Sequence, residues 1–232
     1  FKNTLWMFFE QGLKFFSIIV LGIYIARHLG PTQFGSLSYA IAISAIFMAI
    51  SRLGMESILV RDLVDKVELR AVYMGTAFSL MLTSAVISFI IMGGGLYFFE
   101  SNNDLMFYTL IISIGMLFQP FMVIDYNFQS QVQAKYSAIS KSIALSLGAV
   151  AKLILVYLNA DILWIIVAFA SDYILVATFL IIMHAVRKQD VFLFRYDSKV
   201  AKEFMQSVWP LVLSALAIIL YMRVDQIMIK NM

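Results

Sequence analysis

The chain has 232 residues, 62% of them hydrophobic and 13% charged, with a net charge of +3 and no cysteine. Soluble domains carry about a quarter charged residues, so this chain cannot cover its apolar surface in water, and its mean hydropathy of +0.90 points to lipid as the solvent. The small net charge excludes a nucleic-acid-binding surface, and the lack of cysteine excludes disulfides, thiolate metal sites and cysteine nucleophiles.

A helix needs roughly 20 apolar residues to cross a ~30 Å hydrocarbon core. Seven stretches of the chain are that long. The first span, Leu5 to Arg27, is too long for a signal-peptide core, and no small-residue cleavage site follows it, so it reads as a retained helix. Phe1 stands where a start methionine is expected, so further residues are expected before it. On this span Glu10, Lys14, Ser17 and Tyr24 share one stripe at 100° per residue. The turn His28-Leu29-Gly30-Pro31-Thr32-Gln33 leads to the second span, Phe34 to Val60, which carries Arg52 and Glu56 at i, i+4. Such spacing lets Glu10–Lys14 and Arg52–Glu56 pair along their own helices.

The third span, Ala71 to Phe99, has a small-residue ladder, Gly75, Ser79 and Thr83, suited to close helix contact in lipid. Its run Gly93-Gly94-Gly95 suggests a bend or simple local flexibility. The fourth span is Leu105 to Ile124. The fifth, Tyr136 to Tyr157, places Ser137, Lys141, Gly148 and Lys152 on one face. Lys141 lies within snorkelling distance of the interface. The sixth span, Ile162 to Val186, holds a lone Asp172 near its middle. Neither Lys152 nor Asp172 has a partner on its own helix, so each needs water, a substrate or another helix. The seventh span starts at about Ser207 and aligns Ser207, Ser214 and Asp225, with Arg223 nearby.

These spans divide the chain into a six-helix lobe over residues 1–186, a linker over 187–206, and one further helix over 207–232. The longer loops carry Arg61, Lys66, Arg70, Lys135, Arg187, Lys188, Arg195, Lys199 and Lys202, while the short turns carry Arg27 at most. The positive-inside rule makes those loops cytoplasmic and puts the N-terminus inside. Trp6, Tyr24, Tyr73, Tyr97, Tyr157, Trp164 and Trp209 fall near predicted span ends, as an interfacial belt requires.

No phosphate-cradling glycine loop, Gly-x-Ser-x-Gly elbow or His-Glu-x-x-His motif occurs, and no enzyme is expected. His28 and His184 fall near opposite membrane faces and read as interfacial side chains, so no metal and no cofactor are expected.

The stretch Tyr24-Ile25-Ala26-Arg27-His28-Leu29-Gly30-Pro31-Thr32-Gln33-Phe34-Gly35 resembles the first turn of O-antigen and polysaccharide flippases. Trp6 and Glu10 upstream, and Leu53-Gly54-Met55 with Val60-Arg61-Asp62 downstream, extend the likeness through the first 62 residues. The resemblance implies the multidrug/oligosaccharidyl-lipid/polysaccharide exporter fold, in which two six-helix lobes flank a central cavity. It also implies a bacterial inner-membrane protein that moves lipid-linked oligosaccharide by alternating access. A polysaccharide polymerase and a chain-length regulator would be its partners in lipopolysaccharide assembly. Trp6 to Arg27 and Trp209 to Lys230 share a spacing of 21, so the seventh span reads as the restart of the repeat. About five more helices are then expected beyond it.

Under that reading Lys152, Lys141, Arg52 and Lys14 are the candidates to meet a pyrophosphate. A drug exporter of the same superfamily would instead use Glu10, Asp172 and Asp225 for cationic cargo. A membrane-embedded glycan polymerase or ligase would need a large outer loop, and every outer loop here is short. A scaffold without transport would have no use for charges at membrane depth.

Overall fold

A computed structural model of the chain describes residues 2–187 and 195–231, with side chains described for residues 6–187 and 195–210 and, beyond these, for Leu213, Ser214, Ala217, Ile218 and Tyr221. The described residues are helical with short turns and contain no strand. The first helix, α1 (Lys2–Arg52), contains both of the first two predicted spans. Gly30 alone leaves helical geometry, at φ 70° and ψ 175°. A left-handed φ suits glycine, and Pro31 then opens the second arm where its missing N–H is no loss. The predicted six-residue turn therefore contracts to one residue. The two arms fold back on each other, because Ile18 and Ile41 line the same cavity.

The second predicted span ends early. Leu53 and Gly54 both have positive φ, 55° and 60°, and α2 (Met55–Asp65) starts afresh. Its buried residues Met55, Ile58, Leu59 and Leu63 form one face. α3 (Arg70–Phe99) follows the prediction closely. Tyr73, Ala77, Met81, Ala85, Ser88, Met92 and Leu96 form its buried stripe, while Ile87 and Ile90 face outward. In the predicted small-residue ladder Gly75 is buried, and Ser79 and Thr83 donate back to the carbonyls of Gly75 and Ser79, at 2.9 and 3.0 Å. The Gly93–Gly95 run does not interrupt the helix.

The fourth predicted span splits into three. α4 (Asn103–Ser113) is capped by Asn102, whose side chain accepts from the backbone N–H of Asp104 and Leu105. A 3-10 stretch, Ile114–Phe121, follows, and α5 (Met122–Ser130) completes the passage. Pro120 lacks the N–H that an α-helix would use and crowds the preceding turn. At Gly115 a Cβ would overlap the Tyr173 ring, so glycine is required there for close contact with α7. α6 (Ala134–Tyr157) and α7 (Ile162–Val186) match expectation within two residues. The last helix, α8 (Ser198–Asn231), begins nine residues before the predicted start, inside the expected linker. Val200, Ala201, Phe204 and Val208 draw that segment onto α2 and α3 by burying their side chains.

Two cores result. At the turn end, Ile25, Leu29, Leu37, Leu96 and Ile165 pack together, and His28 Nε2 donates to the Ala160 carbonyl at 3.0 Å. At the opposite, basic end, Leu59, Leu63, Tyr73, Val123 and Phe204 form the second. Tyr73 is thus a core residue rather than part of an interfacial belt, whereas Tyr97, Tyr157, Trp164 and Trp209 are exposed. His184 is also buried, edge-on to Phe128 at 5.9 Å, and is not interfacial. Phe15, Ile19, Ile87, Ile90 and Val150 are all more than half exposed, which only lipid tolerates on this scale. Five helical stretches among the described residues are long and apolar enough to cross a membrane, the first being the 60-residue stretch from Trp6 to Asp65 that contains the Gly30 reversal. The protein is an all-α integral membrane protein.

Candidate functional site

α6 presents Lys141 and Lys152 to different neighbours. Near the turn end, Lys152 Nζ lies 2.7 and 2.6 Å from the two carboxylate oxygens of Asp172 on α7. Lys152 is 3% exposed and its ammonium also sits 4.7 Å from the Phe169 ring centroid. The Asp172 side chain is 32% exposed. It faces a cavity of about 360 Å³ between the two arms of α1, α6 and α7. Leu21, Ile25, Phe34 and Leu37 make most of that cavity apolar. Gly148, one turn before Lys152, leaves room for the carboxylate, because a Cβ there would overlap Asp172 Oδ1 and push it aside. The space beside Gly148 is therefore filled by the Asp172 carboxylate.

Nearer the basic end, Lys141 Nζ lies 3.1 Å from Glu10 Oε1 on α1 and 3.1 Å from Asp125 Oδ2 on α5. Ser137 donates to the other Asp125 oxygen. Asp125 is 2% exposed. Lys141 does not snorkel: two carboxylates hold it inside. Glu10 pairs with Lys141, and no Glu10–Lys14 bridge forms. A partner on a neighbouring helix that also binds Asp125 outcompetes an exposed one four residues away.

Arg52 and Glu56 do not pair either. The left-handed residues Leu53 and Gly54 break the helix between them, so i, i+4 no longer means adjacent. Arg52 Nε instead donates to Gln119 Oε1 at 3.1 Å, and the residue is exposed. Lys14 is exposed as well. Among the described residues neither cation has a carboxylate within salt-bridge distance. Arg223 and Asp225 lie outside the described side chains.

Two contributors escape sequence reasoning. Asp125 was expected in a loop after the fourth span, and the three-part passage instead carries it into the core. Its spacing from Ser137 and Lys141 gives no hint, because a turn at Gln131–Gln133 intervenes. Gln119 is polar in an apolar run, a signal that a search confined to charged residues overlooks. At the basic end a third polar group ties α8 to the body. Tyr73 donates to Glu203 at 3.2 Å, Lys66 lies 3.5 Å from the same carboxylate oxygen, and Lys66 also bonds the Tyr73 hydroxyl. That hydroxyl holds the Lys66 ammonium above its usual range.

The arrangement offers ion pairs that lock helices together and two cations on α1 that remain available. No metal-like or nucleophilic constellation stands out among these groups. No curated protein and no solved structure gives a significant match to the chain. The family described as "Polysaccharide biosynthesis protein" matches residues 1–232. Over its whole length, therefore, the chain belongs to the polysaccharide biosynthesis protein family.

Proposed function

We propose that the chain is one lobe, with the first helix of a second, of a flippase for lipid-linked oligosaccharide in the bacterial inner membrane. The carrier is a polyprenyl pyrophosphate, and transport proceeds by alternating access with the N-terminus in the cytoplasm. The observation that carries this reading is the pair of exposed cations on α1, Lys14 and Arg52, which lack carboxylate partners among the described residues. Charge at membrane depth is expensive unless it faces water or a ligand of opposite sign. A pyrophosphate supplies that sign, and membership in a polysaccharide biosynthesis family supplies a reason for it to be there. Lys141 and Lys152 are already neutralised, so they serve the fold first.

The test uses the full-length protein in cells lacking their own copy. Lys14→Ala with Arg52→Ala should abolish surface glycan at equal protein level and accumulate the lipid-linked intermediate. Normal glycan in that variant would overturn the assignment of these cations. Loss of drug resistance with glycan intact, on deleting the gene, would overturn the flippase reading itself. Orientation is tested with single cysteines, which the native sequence lacks. Asn103→Cys should react with an impermeant maleimide in intact spheroplasts and Glu68→Cys should not.

A further inference from the structure

Ser51 and Arg52 close the second arm of α1, and Gln119 faces them from the 3-10 stretch. Gln119 Oε1 accepts from Ser51 Oγ and from Arg52 Nε, each at 3.1 Å. The Arg52 Nε can only donate, so the orientation of the amide is determined. Its amino group then points away and has no hydrogen-bond partner, although Gln119 is 3% exposed. A buried unpaired amino group is a net loss to the fold. An apolar side chain would fill the place without that loss. What the amide adds is an acceptor that holds a guanidinium.

Holding Arg52 through Nε fixes the plane of the guanidinium and leaves both terminal amino groups free to donate. That edge is the fork that binds two oxygens of a phosphate or carboxylate at once. The helix break at Leu53–Gly54 removes Glu56 from pairing distance, so the fork is not neutralised from its own chain neighbourhood. We infer that Gln119 is a positioning residue that holds Arg52 as a bidentate oxyanion-binding site at the end of α1. That the oxyanion is the diphosphate of a carrier lipid rests on the proposed function; the site itself does not.

The site is tested on purified full-length protein in detergent, by the concentration of inorganic diphosphate that raises the thermal midpoint. Gln119→Glu keeps both accepted bonds and removes the unpaired amino group, but it neutralises Arg52. Its midpoint without ligand should equal or exceed that of the wild type, while diphosphate affinity falls about tenfold. Gln119→Met frees the guanidinium without changing charge and should weaken affinity about threefold. Arg52→Lys keeps the charge without the fork and should weaken it about tenfold. A merely structural glutamine predicts the reverse order: lower midpoints and unaltered affinity. Affinity within twofold of wild type in both Gln119→Glu and Arg52→Lys would overturn the inference, as would no diphosphate effect on the wild type. Should Gln119→Glu not fold, Gln119→Met and Arg52→Lys decide by the same criterion. If diphosphate binds as expected while the Lys14→Ala, Arg52→Ala variant exports glycan normally, the oxyanion site stands and its assignment to the carrier-lipid diphosphate falls.

Discussion

Lys152 meets a single carboxylate from the neighbouring helix, whereas Lys141 meets two, from α1 and α5. Both lysines stand on the same face of α6, about three turns apart. Their difference comes wholly from what the other helices bring opposite them. At the turn end Asp172 is the single carboxylate partner among the described residues, reached because Gly148 leaves room. At the basic end the ammonium joins three helices, and losing either carboxylate still leaves it a partner. The first site is all-or-none and the second is redundant, so equal chemistry should respond unequally to substitution.

The largest effect is expected for Lys152→Ala, which leaves Asp172 without its partner and should lower stability by about 2–4 kcal/mol. Adding Asp172→Ala should restore more than half of the loss in the thermal midpoint, because no lone charge remains. A double variant as unstable as the single one would mean that the pair does not hold α6 to α7. Export is the second readout of the same variants: recovery of surface glycan with recovered stability confines Lys152 to a structural role.

Gly148→Ala sharpens the contrast without touching a charge. Its methyl forces the carboxylate aside, and we expect a loss of about 1–3 kcal/mol. Alanine at the equally buried Ser140, which has no such carboxylate over it, should cost less, and chemical denaturation of both variants measures the difference. Equal effects would show that Gly148 is not specific to the pair.

Glu10→Gln tests redundancy at the basic end. Lys141 keeps its 3.1 Å contact with Asp125, so the loss should be near 1 kcal/mol. A loss equal to that of Lys152→Ala would break the comparison. Smallest is Lys66→Ala, which removes an exposed contact to Glu203 and should shift stability by less than about 1 kcal/mol. Because the folded ammonium titrates above its unfolded value, this contribution is complete at neutral pH and disappears only as pH rises through the folded value. The difference between wild type and variant should therefore be constant from about pH 6 to 9, well below a lysine's ordinary pKa, and a difference that changes over that range would assign the contact to another group.

Composition and apolar run length by themselves determined that this chain lives in lipid, where its long helices lie, and which residues on α6 share a face. Those properties are local: a run of apolar residues in a helix satisfies its own backbone and needs no distant partner. The resemblance at Leu29-Gly30-Pro31 likewise marked the reversal, because a left-handed glycine followed by proline is a local conformational requirement. Only the tertiary structure decided the pairings. Glu10 had Lys14 within one turn, yet it pairs with Lys141, more than a hundred residues away. Arg52 had Glu56 in register until Leu53 and Gly54 broke the helix, and it then found Gln119. Asp125 became a buried ligand of Lys141 through a 3-10 passage that hydropathy does not distinguish from a straight span. The physical reason is common to all three. A charged side chain takes whichever counter-group or acceptor arrives at hydrogen-bonding distance, and which group arrives is set by how the helices pack.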